Sequence, residues 1–491
     1  MERSSGILLH ISSLPGDGGI GSMGKEAFQF VDFLAHAQQK IWQILPLGPV
    51  GYGNSPYQCY SAFAGNPMFI DVRQLVKDRL ISKDSVTDQH FKAKKVEFER
   101  VEEWKMPLFQ EAFSGFKANF ERYKDDYDTF MSNNSWWLDD YALFRSLKSK
   151  NGETVWNTWP KELVTRDRQT IHLAFQDLHA EIDFHRFLQF IFFRQWNKLK
   201  NYANSKGIKI IGDIPLYVSM DSVDVWANQD IFLLDKNAKP TRVGGVPPDY
   251  FSETGQLWGN PVFDWERIAG RGFDWWLARV NFNLMMFDQV RVDHFRGLES
   301  FWAVPADEET AIVGEWLPAK GYDLFLKLKE QLGTLHIIAE DLGVITPEVE
   351  KLRDDFGLPG MKILQFAYSD DATNANLPHN YTSNFIVYSG THDNDTSLGW
   401  FKSIDKKERR FLHKYIDGSG KQFVRNFIEQ VWASAAHTAI IPMQDVLGLD
   451  TEARMNIPGV ASGNWDWRFT WPQIRSNHKA FLKQITGKYN R

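Results

Sequence analysis

Four short apolar runs in this chain each end on an acid. They are Ile210-Ile211-Gly212-Asp213, Val290-Arg291-Val292-Asp293, Ile337-Ile338-Ala339-Glu340-Asp341, and Ile386-Val387-Tyr388 leading into Gly390-Thr391-His392-Asp393-Asn394-Asp395. A β-branched run that finishes on a carboxylate reads as a buried parallel strand with its charge at the C-terminal mouth. In a (β/α)8 barrel all such mouths open on one face, where enzymes of that fold carry their chemistry. The pattern therefore predicts an α/β chain forming a (β/α)8 TIM barrel, with several acids from separate strands around one cavity. Retaining glycosidic-bond chemistry requires such a set, one acid to protonate the leaving oxygen and one carboxylate to attack the sugar carbon.

At 491 residues the chain can hold a barrel of ~250 residues and a large excess in inserted loops. A net charge of −6 gives no electrostatic footprint for nucleic acid or an anionic membrane. The 19 Trp, 37 Phe and 15 Tyr exceed what a core requires, and aromatic faces are suited to the apolar faces of sugar rings. Cys59 is the single cysteine, so an internal disulfide is impossible and a thiolate metal site is disfavoured. The run Ile7–Ile11 is brief and holds His10, unlike a signal-peptide core, and no stretch approaches the ~20 apolar residues of a membrane span. The expected location is the cytoplasm.

Eight strands are predicted: Ile7–Ile11, Gln43–Leu47, Ile208–Ile214, Gln289–Asp293, His336–Glu340, Met361–Tyr368, Phe385–Ser389 and Thr438–Met443. Helical spacing recurs between them, most clearly from Phe184 to Asn204, with Gly207 as the stop. The rhythm breaks between the second and third strands, where a mostly helical subdomain is expected at 72–180, inserted into a single catalytic barrel of 1–491. A further inserted loop region at 215–285 carries an aromatic, Pro/Gly-rich segment, Val246 to Pro261.

Arg291 and Asp293 lie two apart on a strand and share a face, with Val290 and Val292 on the other. An Arg there suits a nucleophilic carboxylate, although a structural ion pair has the same pattern. Glu340 follows an apolar run that would raise its pKa, as a general acid needs, while its neighbour Asp341 faces the other way and could cap a helix. For the His392–Asp395 cluster no HxH or HExxH companion is present, which disfavours a metal. Gripping of sugar hydroxyls by Asp393 beside His392 is the better reading, with Asn394 and Asp395 shaping the turn.

Taken in order, these motifs resemble the 4-α-glucanotransferases of glycoside hydrolase family 77, the amylomaltases or disproportionating enzymes, in the clan of the α-amylases. The resemblance runs from Gly6-Ile7-Leu8-Leu9-His10-Ile11-Ser12-Ser13-Leu14-Pro15 to Gly463-Asn464-Trp465-Asp466-Trp467-Arg468. It includes Gly212-Asp213-Ile214-Pro215, Arg291-Val292-Asp293-His294-Phe295-Arg296-Gly297 and Ala339-Glu340-Asp341-Leu342-Gly343. It implies that Asp293 is the nucleophile, Glu340 the general acid/base and Asp393 the acid that stabilises the transition state. It implies a sugar-binding shell of Asp213, Arg291, His294 and His392, and a glucan groove lined by Tyr57, Asp249, Tyr250, Phe251, Gln256, Trp258 and Asn464. No cofactor or metal is implied, and the expected partners are maltooligosaccharides and starch- or glycogen-derived α-1,4-glucans, not nucleic acid or membrane.

The implied mechanism is a double displacement with the Asp293 and Glu340 carboxyls ~5–5.5 Å apart. Three rivals stay open on residues alone. An α-amylase-like hydrolase would use the same acids with water as acceptor. A non-catalytic glucan-binding protein would need only the aromatics, and a metal-dependent hydrolase would lose activity with chelator.

Overall fold

The computed structural model describes residues 3–248, 252–368 and 371–491, with the Tyr52 side chain outside that description. Eight parallel strands run in one sheet: β1 (Ser4–Leu8), β2 (Ile41–Gln43), β3 (Lys209–Ile214), β4 (Gln289–Val292), β5 (Ile337–Ala339), β6 (Gly360–Ile363), β7 (Phe385–Tyr388) and β8 (Thr438–Pro442). Their hydrogen-bonded order is β6-β7-β8-β1-β2-β3-β4-β5. The ring closes where the amide of Ala339 donates to the Pro359 carbonyl, 2.9 Å away, at the start of β6. This is a (β/α)8 barrel.

All eight predicted runs supply a barrel strand, with shifted ends. β1 begins at Ser4 rather than Ile7, and Ile11–Ser13 is a 3-10 turn. β2 spans Ile41–Gln43, starting two residues and ending four residues before the expected Gln43–Leu47. The run Met361–Tyr368 leaves the sheet at Ile363 and coils into a 3-10 turn, Leu364–Ala367. In each case the apolar residues continue past the strand because they still face the core: Ile11, Ile44, Leu45 and Leu364 are all buried.

Between β2 and β3 lie three long helices, Phe98–Ala118, Lys124–Lys150 and His179–Ser205. The last buries Phe184, Phe187, Leu188, Ile191, Phe192, Trp196 and Leu199 along one stripe. Phe116 meets Phe187 and Phe190 at centroid separations of 5.0 and 5.9 Å, so the helices interlock through aromatic rings.

A second, antiparallel sheet was not anticipated from the sequence. Its strands, in spatial order, are Gln256–Pro261, Arg242–Val246, Ser300–Pro305 and Glu315–Pro318. Two come from the β3–β4 connection and two from the β4–β5 connection, so the sheet grows out of the loops above those strands. The described residues of the 215–285 segment thus hold two sheet strands, the helices Val223–Ala227 and Trp265–Gly270, and all but the last residue of the helix Asp274–Met286. Phe287, just past the second helix, packs on Gly212 so tightly that a Cβ there would stand 2.1 Å from its ring. The register Asp213↔Arg291 between β3 and β4 is therefore held from outside by contact as well as by the ladder.

Candidate active site

The C-terminal ends of β3, β4, β5 and β7 deliver Asp213, Arg291, Asp293, Glu340, His392 and Asp393 to one mouth. Val290 and Val292 are buried on the opposite face of β4, which turns Arg291 and Asp293 together toward the barrel axis.

Arg291 organises the centre. Its Nη1 donates to both carboxylate oxygens of Asp213, at 2.9 and 2.8 Å, and its Nη2 pairs with Asp293 Oδ1 at 2.8 Å. The Asp213 side chain is fully buried, and Tyr57 Oη donates to its Oδ2 at 2.7 Å. Burial pushes the Asp213 carboxyl upward, and the adjacent guanidinium opposes that shift. The paired geometry, in which every Asp213 oxygen accepts at least one hydrogen bond, is what makes a buried carboxylate tolerable. Asp213 is thus an anchor for Arg291, and Asp293 keeps Oδ2 clear of the ion pair.

Glu340 has a different setting. Its Oε2 accepts from the amide of His294 at 2.6 Å and its Oε1 from the amide of Leu342 at 3.2 Å. His294 sits at φ 49°, a left-handed conformation rare for a non-glycine residue, and its amide is thereby aimed at the acid. Burial is the largest influence on Glu340 and raises its pKa. Arg291 and the His294 amide pull it down, while Asp293 and Asp341 push it up, and the result is about 8. Asp341 faces away, accepting from the Met361 amide at 2.7 Å and from Arg353 Nη1 at 2.5 Å. It caps no helix; Thr346 occupies the N-cap of the following helix, Pro347–Asp355.

Asp393 is the most exposed of the three acids. Its Oδ2 is 3.3 Å from His392 Nε2, and its Oδ1 accepts from Asn456 Nδ2 at 2.6 Å. Burial within the cleft works to raise its pKa, but His392, Asn456 and Arg291 outweigh that and hold it near about 2. The His392 ring stacks on Tyr57 (centroids 5.1 Å apart, planes 19° apart), and Trp465 leans on both from 5.9 Å. Asn394 and Asp395 shape the turn: Asn394 Oδ1 accepts from the amide and hydroxyl of Thr391, and Asp395 accepts from Thr396 and Thr451.

On the other wall, Trp258 meets His294 edge-on at 4.8 Å, and its indole N–H donates to Gln256 Oε1 at 3.2 Å. His294 is pushed down to about 4 by burial, and so is neutral at physiological pH. Asn464 does not join this cluster. Its side chain accepts from the Ile457 amide and donates to the Ile457 and Val460 carbonyls, bracing its own loop. Asp249, Tyr250 and Phe251 lie outside the described residues. Asn456, Arg454, whose guanidinium holds the Asp393 carbonyl, and Trp465 were missed from the sequence. Trp465 alone had a signal, since it adjoins Asn464 in the Gly463–Arg468 segment. Among the described residues no group of three or more His, Cys, Asp or Glu side chains is arranged to hold a metal ion.

Acids on the mouths of separate strands, one ion-paired and one buried beside it, define a (β/α)8-barrel enzyme with a polar reaction cleft walled by aromatic rings. The family model described as 4-alpha-glucanotransferase, glycoside hydrolase family 77, matches residues 9–474. The 4-alpha-glucanotransferase of Thermus thermophilus is 47% identical over 495 residues, covering 99% of this chain and 98% of that protein. The chloroplastic/amyloplastic 4-alpha-glucanotransferase of Solanum tuberosum is 43% identical over 491 residues, covering 99% of this chain and 85% of that one. The structure of the amylomaltase from Streptococcus agalactiae in complex with acarbose matches with a TM-score of 0.97 at 40% identity, over 100% of both chains. This chain belongs to the 4-alpha-glucanotransferases of glycoside hydrolase family 77 and is an enzyme of that transferase class.

Proposed function

We propose that the protein moves an α-1,4-glucan segment from a donor maltooligosaccharide or glucan to the 4-hydroxyl of glucose or another glucan, by a retaining double displacement. The observation that carries this reading is the contrast between two neighbouring acids. Asp293 is ion-paired to Arg291 through one oxygen with the other left clear, whereas Glu340 is buried with its pKa raised to about 8. Carboxyls whose environments differ in this way divide into nucleophile and acid.

Glu340, protonated at neutral pH, gives its proton to the glycosidic oxygen while Asp293 Oδ2 attacks the anomeric carbon. The C–O bond to the leaving chain breaks, and a β-glucosyl ester of Asp293 forms. Glu340, now a carboxylate, takes the proton of the incoming 4-hydroxyl as that oxygen displaces Asp293. Two inversions restore the α configuration. Asp393, kept ionised by His392 and Asn456, binds sugar hydroxyls and steadies the positive charge that develops on the ring. The aromatic wall at Trp258 favours a sugar over water as acceptor. The substrates on this reading are maltooligosaccharides and starch- or glycogen-derived chains. The reaction needs no cofactor, and the site of action is the cytoplasm; no helix among the described residues is long and apolar enough to cross a membrane.

The test is incubation with maltotriose alone, with products separated by chromatography and reducing ends counted. A ladder of longer and shorter oligosaccharides at constant reducing ends is expected. Reducing ends that rise without a ladder would make water the acceptor and overturn transfer.

A further inference from the structure

Asp293 and Glu340 each stand one residue beyond a strand, β4 and β5, so the barrel ladder fixes their backbone. Asp393 lies five residues beyond Tyr388, the last residue of β7, and its side chain is 44% exposed. The sheet does not hold it; the segment 451–456, which follows β8, does. Thr451 Oγ1 donates to Asp395 Oδ2 at 2.8 Å, and the Asn456 amide donates to the His392 carbonyl at 3.1 Å. Asn456 Nδ2 donates to Asp393 Oδ1 at 2.6 Å. Arg454 joins the two segments with two donors: Nη2 reaches the Asp393 carbonyl at 2.5 Å and Nε the Asn456 carbonyl at 2.7 Å.

We propose that Arg454 is a positioning residue for the transfer reaction: one planar guanidinium holds Asp393 and Asn456 side by side, and thereby sets where the Asp393 carboxylate meets the sugar ring. The kinetic part of this inference rests on the role proposed above for Asp393.

The Nε and Nη2 hydrogens lie along one edge of the guanidinium and point the same way, so the two carbonyls they hold are fixed in both distance and plane. A lysine ammonium carries the same charge without such an edge. Asn456 is then held at both ends, its carbonyl by Arg454 and its amide by the His392 carbonyl, and from that backbone its side chain reaches Asp393 Oδ1. A carboxylate that meets developing positive charge is most effective when it need not reorganise during the reaction. Loosening the fork should therefore cost rate rather than binding. The segment itself has other anchors. Met455 is buried, its carbonyl accepts from the Trp465 amide at 2.8 Å, and its sulfur accepts from Ser13 Oγ at 3.9 Å. Gln444 Nε2 donates to the Ala453 carbonyl at 3.2 Å. Arg454 can thus be changed while the segment stays in place.

Two variants test it. Arg454→Lys keeps the charge and loses the fork; Arg454→Ala removes both and opens a space for a guest. Each should lower kcat on maltotriose by roughly tenfold with KM nearly unchanged, the pattern of an interaction that matters in the transition state. Free guanidinium at millimolar, non-denaturing concentration should return several-fold of the rate to Arg454→Ala, and ammonium should not. Arg454→Lys at the wild-type rate overturns the proposal, because charge alone would then suffice. No recovery with guanidinium, or a Tm that falls in step with kcat in both variants, makes Arg454 a structural strut and also overturns it. A crystal structure of Arg454→Lys should show the Asp393 carboxylate turned away from Asn456 or divided between orientations; a carboxylate that keeps its place overturns the proposal. A wild-type protein with no transfer activity would sink the functional reading, and that crystal structure would still decide whether Arg454 holds Asp393.

Discussion

Arg291→Met tests whether the site is built around one guanidinium. Met fills much of the volume and removes the charge. It leaves Asp213, whose side chain is fully buried, with only Tyr57 as partner, and Asp293 with none of its present ones. Removing one member of a buried pair strands the other charge, at about 3–5 kcal/mol. At about 2.1 cal/mol/K of unfolding entropy per residue, a chain of 491 residues loses about 1 °C of Tm per kcal/mol, so the expected drop is about 3–5 °C. Asp213→Asn in the same background removes the stranded charge, and the double variant should regain most of that loss. Activity should separate from stability. Asp293 is no longer oriented, so maltotriose disproportionation should stay at least 100-fold down in both variants, which corresponds to about 2.7 kcal/mol of lost transition-state stabilisation. The assays are thermal unfolding followed by tryptophan fluorescence and initial-rate chromatography of maltotriose products. A double variant no more stable than Arg291→Met would refute the reasoning, because the cost would then not come from an unpaired buried carboxylate.

Asp293→Asn should abolish turnover while calorimetry still detects maltoheptaose binding; transfer at a wild-type rate would remove Asp293 from the nucleophile role. The rate should also carry the signature of Glu340. Proton donation needs the acid form, whose pKa stands near about 8 rather than 4.5, so kcat/KM should hold through neutrality and fall as pH rises through about 8. An alkaline limb already complete by pH 6 would contradict the buried-acid assignment. Asn456→Ala removes the 2.6 Å bond to Asp393 Oδ1, a charged hydrogen bond worth about 1.5–3 kcal/mol, and a fall of roughly tenfold to a hundredfold in kcat/KM is expected without a matching loss of Tm.

The barrel was legible because its signal is local. Runs such as Ile337-Ile338-Ala339 are buried on both faces, as a parallel strand under helices is, and eight of them in alternation with helical patterns point to a barrel. The acids were legible for the same reason, since the residue that ends such a run has one place to go. Strand ends were less so: Ile11 and Leu364 are as buried as their strand neighbours, and hydrophobicity records burial without distinguishing a ladder from a 3-10 turn. The antiparallel sheet left little trace, because Arg242–Val246 contains two glycines and pairs with Ser300–Pro305 across the whole of β4. Asn456 was invisible as a site residue. It acts through a partner distant in the chain, and nothing in its own neighbourhood marks the contact.

The pair Glu340-Asp341 shows how the same local rule reaches function. Two consecutive acids at a strand end must diverge, so one enters the cleft and the other leaves it. β5 joins β6 through one backbone bond, and the outward Asp341 adds a second tie by accepting from the Met361 amide while Arg353 neutralises it. Gly360 makes that approach possible, as a Cβ there would stand 2.4 Å from Asp341 Oδ2. Asp341 thus closes the barrel at the seam where the ladder is thinnest, and that closure fixes the backbone from which Glu340 projects. His294, held left-handed on the neighbouring strand end, then supplies the amide that orients the Glu340 carboxyl. Burial is the largest influence raising the acid's pKa, and Asp341, the acid next in sequence that ties β5 to β6, adds to it through its charge.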